Sequence, residues 1–556
     1  MKLIVYLILF LTTITLIFSG CSDISDENEQ YTVEVIADGA AVRNANGILF
    51  DSNDQLYVAS VFGGEITVLN PETGEITDRL GIESGVKCPD DLIFGPNGSL
   101  YFTNLVVGEV GCLSPEGEVS SQFIAPGVNS ITTSDDGRLF VGLDFMGDGL
   151  YELDPTLSTE PRLIASELGW LNGIDWGPDG YLYGPIWTTG EIVCIDVDSG
   201  DITTVADDFS IPSCIKFDSS GNLYVADYDK GEVSRINLAN NTTELVSSGL
   251  ERIDSMAFDS NDRLFVSAKD GSVLEIMTDG STRNVMEGGM IGPGGVAVQF
   301  DQDSGKDVVY VADLSYLREL DGQTGNEIHV DRHLMGDIST YSGSDGITSP
   351  LTVSSDGENL IISSWVYDVV QVWDPIEHKV VDEYLGFSVP TNAIMFQDDI
   401  IVAELGMEEG AARLVKVNDT GRVTLSTGFA VPAGLAATES DLWVSDWYLG
   451  MIMQVVKDGE TLSEPMPVAT NLSFPEGVAV DVDGNLLVVE TGTGTLSKID
   501  LDTGEINTLV ENLEVGAETV PGMTPNYIFS GVAVSPSGTI YITGDKTNAL
   551  YRIQAS

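Results

Sequence analysis

Six polar residues recur at one place in a motif repeated about every forty residues: Asn46, Asp90, Asn129, Asn172, Ser213 and Asp254. Each stands at the head of a short apolar run, as in Asn172-Gly-Ile-Asp-Trp176. If the runs are equivalent strands around an axis, these heads converge on it. Amide and carboxylate oxygens gathered in that way suit a hard cation, Ca²⁺ first, with Mg²⁺, Mn²⁺ or Zn²⁺ as alternatives. The expected ligands are Asn46, Asp90, Asn129, Asn172 and Asp254. A cation held by few protein groups keeps open positions, polarises an ester carbonyl and acidifies bound water. A nearby carboxylate then takes the proton, and Asp254 and Asp90 are placed for that work, with Asp144 in reserve. The alternative is a water-filled channel in which the buried amides bond one another.

Positioning such heads requires a repeated β unit. One unit reads Asn172-Gly-Ile-Asp-Trp176 (strand a), Gly177-Pro-Asp-Gly180 (turn), Tyr181-Leu-Tyr-Gly184 (strand b), Glu191 to Asp196 (strand c) and Asp201 to Val205 (strand d). Short alternating runs split by Asp, Asn and Gly turns are hairpin grammar. The heads return at Gly294, Ser349, Asn392, Ala433, Glu476 and Ser530, which makes twelve units. A period of this length predicts an all-β chain of β-propeller blades. The expected arrangement is two consecutive six-bladed propellers, over residues 31–279 and 280–556. Residues 31–36 look like a strand d without a blade, and the last blade stops after strand c. An unpaired edge is a liability, so each ring is expected to close with a strand from the opposite end of its own segment. Residues 31–36 would complete the sixth blade and 282–286 the twelfth.

Strand a leaves one face and strand b returns to it, so a-strand heads and b-strand ends share a rim. The b-strand ends are Ser60, Asn104, Asp144, Asp227 and Lys269 in the first half. In the second they are Asp313, Ser364, Glu404, Asp446, Glu490 and Asp545. For most of the acidic ones the expected role is to accept turn N–H bonds and close the neighbouring loop. A second candidate site is Asn392, Glu476, Asp446 and Glu490, although Gly294 and Ala433 break that ring. Trp365, Tyr367, Trp447 and Tyr448 lie just past its b-strands, where they either contact a small organic or carbohydrate ligand or pad the rim.

Three histidines remain. His329 and His333, four apart with Asp331 between them, fall in a long insertion reaching Thr348; on a helix they could hold zinc, but they read as exposed loop residues. His378 sits in the turn Pro375-Ile-Glu-His-Lys379 and reads as solvent-facing. No head or b-strand end is a histidine, which discounts a propeller lyase needing a rim histidine as base. There is no Gly-x-Ser-x-Gly elbow and no His-Glu-x-x-His. A second insertion, Asn512 to Phe529, carries Pro521, Met523, Pro525 and Tyr527 and reads as a binding loop or lid.

The units Leu171 to Gly180 and Phe474 to Asp481 resemble the SMP-30/gluconolactonase group of six-bladed propellers. Leu223-Tyr-Val-Ala-Asp227 and Val309-Tyr-Val-Ala-Asp313 resemble NHL repeats. The first resemblance implies lactone or ester hydrolysis at a central divalent cation held by a Glu, Asn residues and an Asp, the Asp also serving as base. On that likeness Asn172 matches the Asn-Gly ligand and Asn129 a second Asn. The Glu is Asn46 here and the Asp is Ser213, so both anionic ligands are missing; Asp90 and Asp254 would have to replace the charge from neighbouring blades.

Net charge is −63, from 24 basic and 87 acidic residues. Nucleic acid, whose phosphates need a basic surface, is excluded as a partner. Lys2 precedes an apolar run from Leu3 to Phe18 and then Ser19-Gly20-Cys21, the pattern of an export signal rather than a span. Phe18-Ser-Gly-Cys21 resembles a bacterial lipobox with Phe in place of Leu. That implies a signal over residues 1–20, lipidation of Cys21, an acidic tether over 21–30, and an exported lipoprotein on the membrane, periplasmic or at the cell surface. The alternative is an ordinary secretory signal. Cys88, Cys112, Cys194 and Cys214 fit no zinc motif and read as buried thiols. The predicted function is a metal-dependent lactonase or esterase; the rival is a non-catalytic propeller that binds a ligand, glycan or protein partner with structural cations.

Overall fold

The computed structural model describes residues 31–240, 242–333, 343, 346–408, 410–418, 421–517 and 528–556. The signal, Cys21, the tether and Pro521, Met523, Pro525 and Tyr527 lie outside the described residues. What is described is all β apart from one 3₁₀ turn, Ile82–Ser84. The strands form twelve four-stranded antiparallel sheets, each the a-b-c-d meander expected of a propeller blade.

Burial follows strand position. The a and b strands, such as Ala45–Phe50 and Leu56–Ser60 of the first sheet, are buried nearly throughout, while the d strand Ile76–Leu80 is mostly exposed. The core is a series of apolar layers between neighbouring sheets. Ile48, Val58 and Leu69 of the first sheet pack with Phe265 and Val273 of the sixth. Val296 and Val309 of the seventh pack with Tyr541 and Leu550 of the twelfth. Innermost strands adjoin in order from the first sheet to the sixth, and the sixth adjoins the first; the same circuit runs from the seventh to the twelfth and back. Hydroxyls sew the seams. Ser267 Oγ donates to the Asn46 carbonyl across the sixth–first seam, and Thr543 Oγ to the Gly294 carbonyl across the twelfth–seventh seam. Glycine is required where inner strands approach: a Cβ on Gly173 would lie 2.5 Å from Cys214 Cα, and that glycine has φ +21°.

Strand closure differs from expectation. Thr282–Met286 is the outermost strand of the sixth sheet, and Tyr31–Ala37 is the outermost strand of the twelfth. The turn explains the first assignment. Met277 N donates to Ser281 O at 2.8 Å, Gly280 N donates to Met277 O at 2.9 Å, and Gly280 takes φ +84°. This hairpin lays residues 282–286 beside Val273–Ile276 at the small entropic cost of a short loop. The sixth sheet then has its four strands, and residues 31–37 lie along Ala549–Ala555, where Tyr31 faces Ala555 and Arg552 pairs with Glu34 at 2.7 Å. The expected closure is therefore corrected: the first strand belongs with the last sheet, and residues 282–286 with the sixth.

Cys88, Cys112 and Cys214 are buried free thiols and Cys194 is a partly buried one. Among the described residues no helix is long and apolar enough to cross a membrane.

Candidate functional site

Register shifts hold four of the heads. The a–b ladder shifts register between Ala45 and Ile48, between Pro89 and Leu92, between Val128 and Ile131, and between Ile253 and Ser255. Asn46, Asp90, Asn129 and Asp254 all sit within these shifts. A bulge turns a side chain out of the alternating face of the strand.

Three heads and one b-strand end meet. Asn46 Nδ2 donates to Asp90 Oδ1 at 2.8 Å and to Asp254 Oδ2 at 3.2 Å. Asn46 Oδ1 accepts from Val61 N at 3.1 Å, which fixes the direction of the amide. Lys269 Nζ stands 2.8 Å from Asp254 Oδ1, with the two side chains 16% and 12% exposed. Burial works against the ammonium charge, but Asp254 and Asp90 hold the Lys269 pKa above its usual value. Asp90 is fully enclosed; burial and then Asp254 push its pKa up to about 8, against the opposing pull of Lys269.

Asp144 is the fourth carboxyl-bearing or cationic group of the cluster. It is wholly buried, and neither carboxylate oxygen has a hydrogen-bond partner. Burial first, then Asp90, raises its pKa well above the ordinary carboxylate range, and the Asn129 side chain opposes that shift. Asn172 accepts a 2.8 Å bond from the N–H of Gly173 and Ser213 donates to the Ile253 carbonyl at 2.8 Å. Neither is hydrogen-bonded to the Asn46 cluster, so Ser213 serves the seam and Asn172 its own turn. The adjoining Asp91, not singled out from sequence, accepts from Leu92 N and Ile131 N at 2.9 and 3.1 Å and acts as a brace between sheets.

Most other b-strand ends close loops. Asp227 accepts from the N–H groups of Ser210, Ile211 and Lys230, and Asp313 from those of Ile291 and Gly292. The second candidate set divides in the same way. Asp446 accepts from Ala430 N, Val431 N and Leu449 N, and Glu490 from Ser473 N and Ser497 Oγ. Asn392 donates to the Ala433 carbonyl at 3.2 Å. Glu476 is buried, accepts from Ser530 N at 2.6 Å and Thr491 Oγ1 at 3.1 Å, and is held well above the carboxylate range by burial and then Asp545. No hydrogen bond between side chains joins these four to one another.

Aromatic residues also line the first rim, which sequence reasoning missed. Phe145 follows Asp144, Trp187 and Tyr228 follow b-strands, and Trp170 precedes Asn172. Phe145 lies 5.1 Å from Trp170 and 5.3 Å from Trp187, which lies 5.3 Å from Tyr228. Their signal was present: each follows a b-strand or precedes a head, as Trp365 and Trp447 do. On the second rim Trp365 packs on the Leu351 and Ile528 core, Tyr367 on His333, and Trp447 on Phe474, while Tyr448 is exposed.

The histidines depart from expectation. His329 lies on the strand Glu327–Arg332, not in a loop or helix, and His333 is buried with Nδ1 2.9 Å from Ile347 O. The two do not share a face. His378, expected to face solvent freely, instead stands 3.1 Å from Asp331.

Residues 118–270 match the family model described as the SMP-30/Gluconolactonase/LRE-like region. The resemblance to SMP-30/gluconolactonase propellers is thus shown from the last strand of the second sheet to the second strand of the sixth. No curated protein matches the chain. Solved structures similar to it include a streptogramin B lyase, at 16% identity and TM-score 0.38, covering 51% of this chain and 94% of that one. A virginiamycin B lyase from Staphylococcus aureus matches at 15% identity and TM-score 0.37, over 51% of this chain and 96% of that one. A nidogen/laminin complex matches at 21% identity and TM-score 0.35, over 40% and 89%.

Proposed function

We propose that the chain is an exported, envelope-anchored lipoprotein built of two six-bladed propellers, and that the first binds a divalent cation, Ca²⁺ first, and hydrolyses a lactone or ester. The two circuits of adjoining inner strands support the pair of rings. The signal-like N-terminus ending at Cys21 supports the anchor.

The cation reading rests on one observation: Asp144 is buried with no partner for either oxygen. Burying a carboxylate without a partner is costly, so it either keeps a proton or meets a cation. Asp90, Asp144 and Asp254 with Lys269 would carry a net charge of −2 if all were ionised, which one divalent ion balances. Asp90, Asp144 and the amide oxygen of Asn129 fit a hard cation as a donor set, whereas the Asn46 oxygen, expected among the ligands, is taken by the Val61 N–H. Such an ion would polarise an ester carbonyl and acidify a bound water. Lys269 and Asn46 hold Asp254 in one orientation as the base. With the ion bound Asp90 would be ionised as a ligand, and Asp254 would return the proton it took to the leaving alkoxide. Phe145 and Trp170, partly exposed at the rim, would contact the organic part of the substrate.

The binding-module reading draws on the Lys269–Asp254 pair, which supplies an internal cation and occupies the best candidate base. Calorimetry with Ca²⁺, Mg²⁺, Mn²⁺ and Zn²⁺, followed by hydrolysis of a lactone panel with each, separates the two. The hydrolase predicts turnover with at least one ion and its loss in Asp254→Ala and Asp90→Ala. A folded protein that binds cation but turns over nothing is a binding module. One that binds no cation at this site removes the basis for either metal role.

A further inference from the structure

A second constellation lies on the other face of the blades, where third and fourth strands are joined. His329 and Asp331 stand two apart on the outermost strand of the seventh sheet, and therefore on one face of it. His378 reaches them from the turn between strands Val369–Asp374 and Lys379–Leu385 of the eighth sheet. That turn is held by Asp374, whose carboxylate accepts from Ile376 N at 2.9 Å and Glu377 N at 3.0 Å, and His378 itself takes φ +48°. His329 Nε2 lies 3.3 Å from Asp331 Oδ1, and His378 Nδ1 lies 3.1 Å from Asp331 Oδ2. The two imidazoles lie with centroids 3.9 Å apart, and one ligand atom from each of the three residues falls within 4.8 Å of the others. This is the one such group of three among the described residues.

We propose that His329, Asp331 and His378 form a zinc site that clasps the seventh sheet to the eighth. In a tetrahedral site with bonds of about 2.0–2.1 Å, neighbouring ligand atoms lie about 3.3 Å apart. Each imidazole nitrogen stands at about that spacing from its own oxygen of the shared carboxylate, His329 Nε2 3.3 Å from Oδ1 and His378 Nδ1 3.1 Å from Oδ2. Two imidazole nitrogens and one carboxylate suit zinc and other borderline cations, not the oxygen-seeking Ca²⁺ of the axial proposal. His329 and His378 are 44% and 33% exposed, so the ion has a direct route in and its fourth position faces solvent. Glu319 pairs with His329 across the strands and brings a further carboxylate to the same face. The ion would cross-link two sheets through residues 47 apart in sequence. The inference does not depend on the lactonase reading.

The test uses the full mature chain with zinc alone, titrated by calorimetry in excess Ca²⁺ to occupy any axial site, with Co²⁺ as the spectroscopic probe. Wild type should bind one zinc per chain, give the intense visible bands of tetrahedral Co²⁺, and melt at a higher temperature with zinc. His329→Ala and His378→Ala should each weaken zinc at least tenfold and abolish the Co²⁺ bands, and Asp331→Asn should weaken it by a similar factor. Both histidines are partly exposed, so these variants keep the fold, which circular dichroism checks. Zinc binding undiminished in the His329→Ala/His378→Ala double variant, or absent in wild type at neutral pH, overturns the proposal.

Discussion

Lys269 stands one residue past the second strand of the sixth sheet, and its ammonium lies 2.8 Å from Asp254 Oδ1 in the bulge of the first. It is the basic group of a cluster that otherwise holds Asp90, Asp144 and Asp254. Replacing it with Met should be strongly destabilising, by about 3 kcal/mol, because an uncompensated carboxylate is left in a mostly buried place. The same change should strengthen divalent binding, since the site gains one net negative charge. Urea unfolding of Lys269→Met with and without Ca²⁺ checks both effects: the ion should recover more stability in the variant than in wild type.

Stability should also depend on pH through Asp90. Its pKa is about 8 in the folded protein against 3.8 in the unfolded chain. Between those values the native state holds a proton that the unfolded state has lost, so stability falls as pH rises from about 4 to 8, by at most about 1.4 kcal/mol per pH unit. Asp144, shifted in the same direction by burial, adds to the slope. Asp90→Asn, which mimics the protonated form, should show a flatter profile than wild type across this window. Equal slopes for the two proteins would mean that Asp90 is ionised in the fold. If Ca²⁺ binds here, its titration near neutral pH should release about one or two protons.

Much of this architecture was legible because propeller repeats are local. The Asp, Asn and Gly turns, the alternating runs and the head positions all lie within one unit, and the twelve sheets follow them. What escaped were side-chain contacts that the repeat spacing does not show. Lys269 reads as one irregular b-strand end until Asp254 is seen beside it. Asn172 keeps the family-like Asn-Gly pair, yet its carbonyl oxygen is taken by the N–H of Gly173. His378 belongs with Asp331, 47 residues away, about one repeat; the signal was there, but only as a spacing between blades. Closure was misjudged because the cheap hairpin at Met277–Ser281 outweighs a distant edge.

Glu476 tests whether the second ring holds a cation. It already accepts two bonds, from Ser530 N and Thr491 Oγ1, and burial favours its neutral form. Glu476→Gln should therefore be close to neutral, within about 1 kcal/mol, while Glu476→Ala should cost about 1–3 kcal/mol by stranding the Ser530 N–H. Thermal unfolding distinguishes this from a ligand role, in which Glu476→Gln would lose a calcium-dependent rise in melting temperature seen in wild type.

The last prediction concerns closure of the twelfth sheet. Tyr31 lies opposite Ala555, so the start of the first strand and the end of the last are hairpin neighbours. A two-residue Asn-Gly turn has the backbone twist to join such strands. A chain of residues 290–555, then Asn-Gly, then residues 31–37 should therefore fold alone, with Arg552 still beside Glu34. The same chain without residues 31–37 exposes the third strand of the twelfth sheet as an unpaired edge and should aggregate or lose amide protection over residues 532–555. Hydrogen exchange and sedimentation on the two fragments check this. A shorter fragment as protected and monomeric as the longer one would show that the first strand is dispensable, and that the second circuit is closed by its inner strands alone.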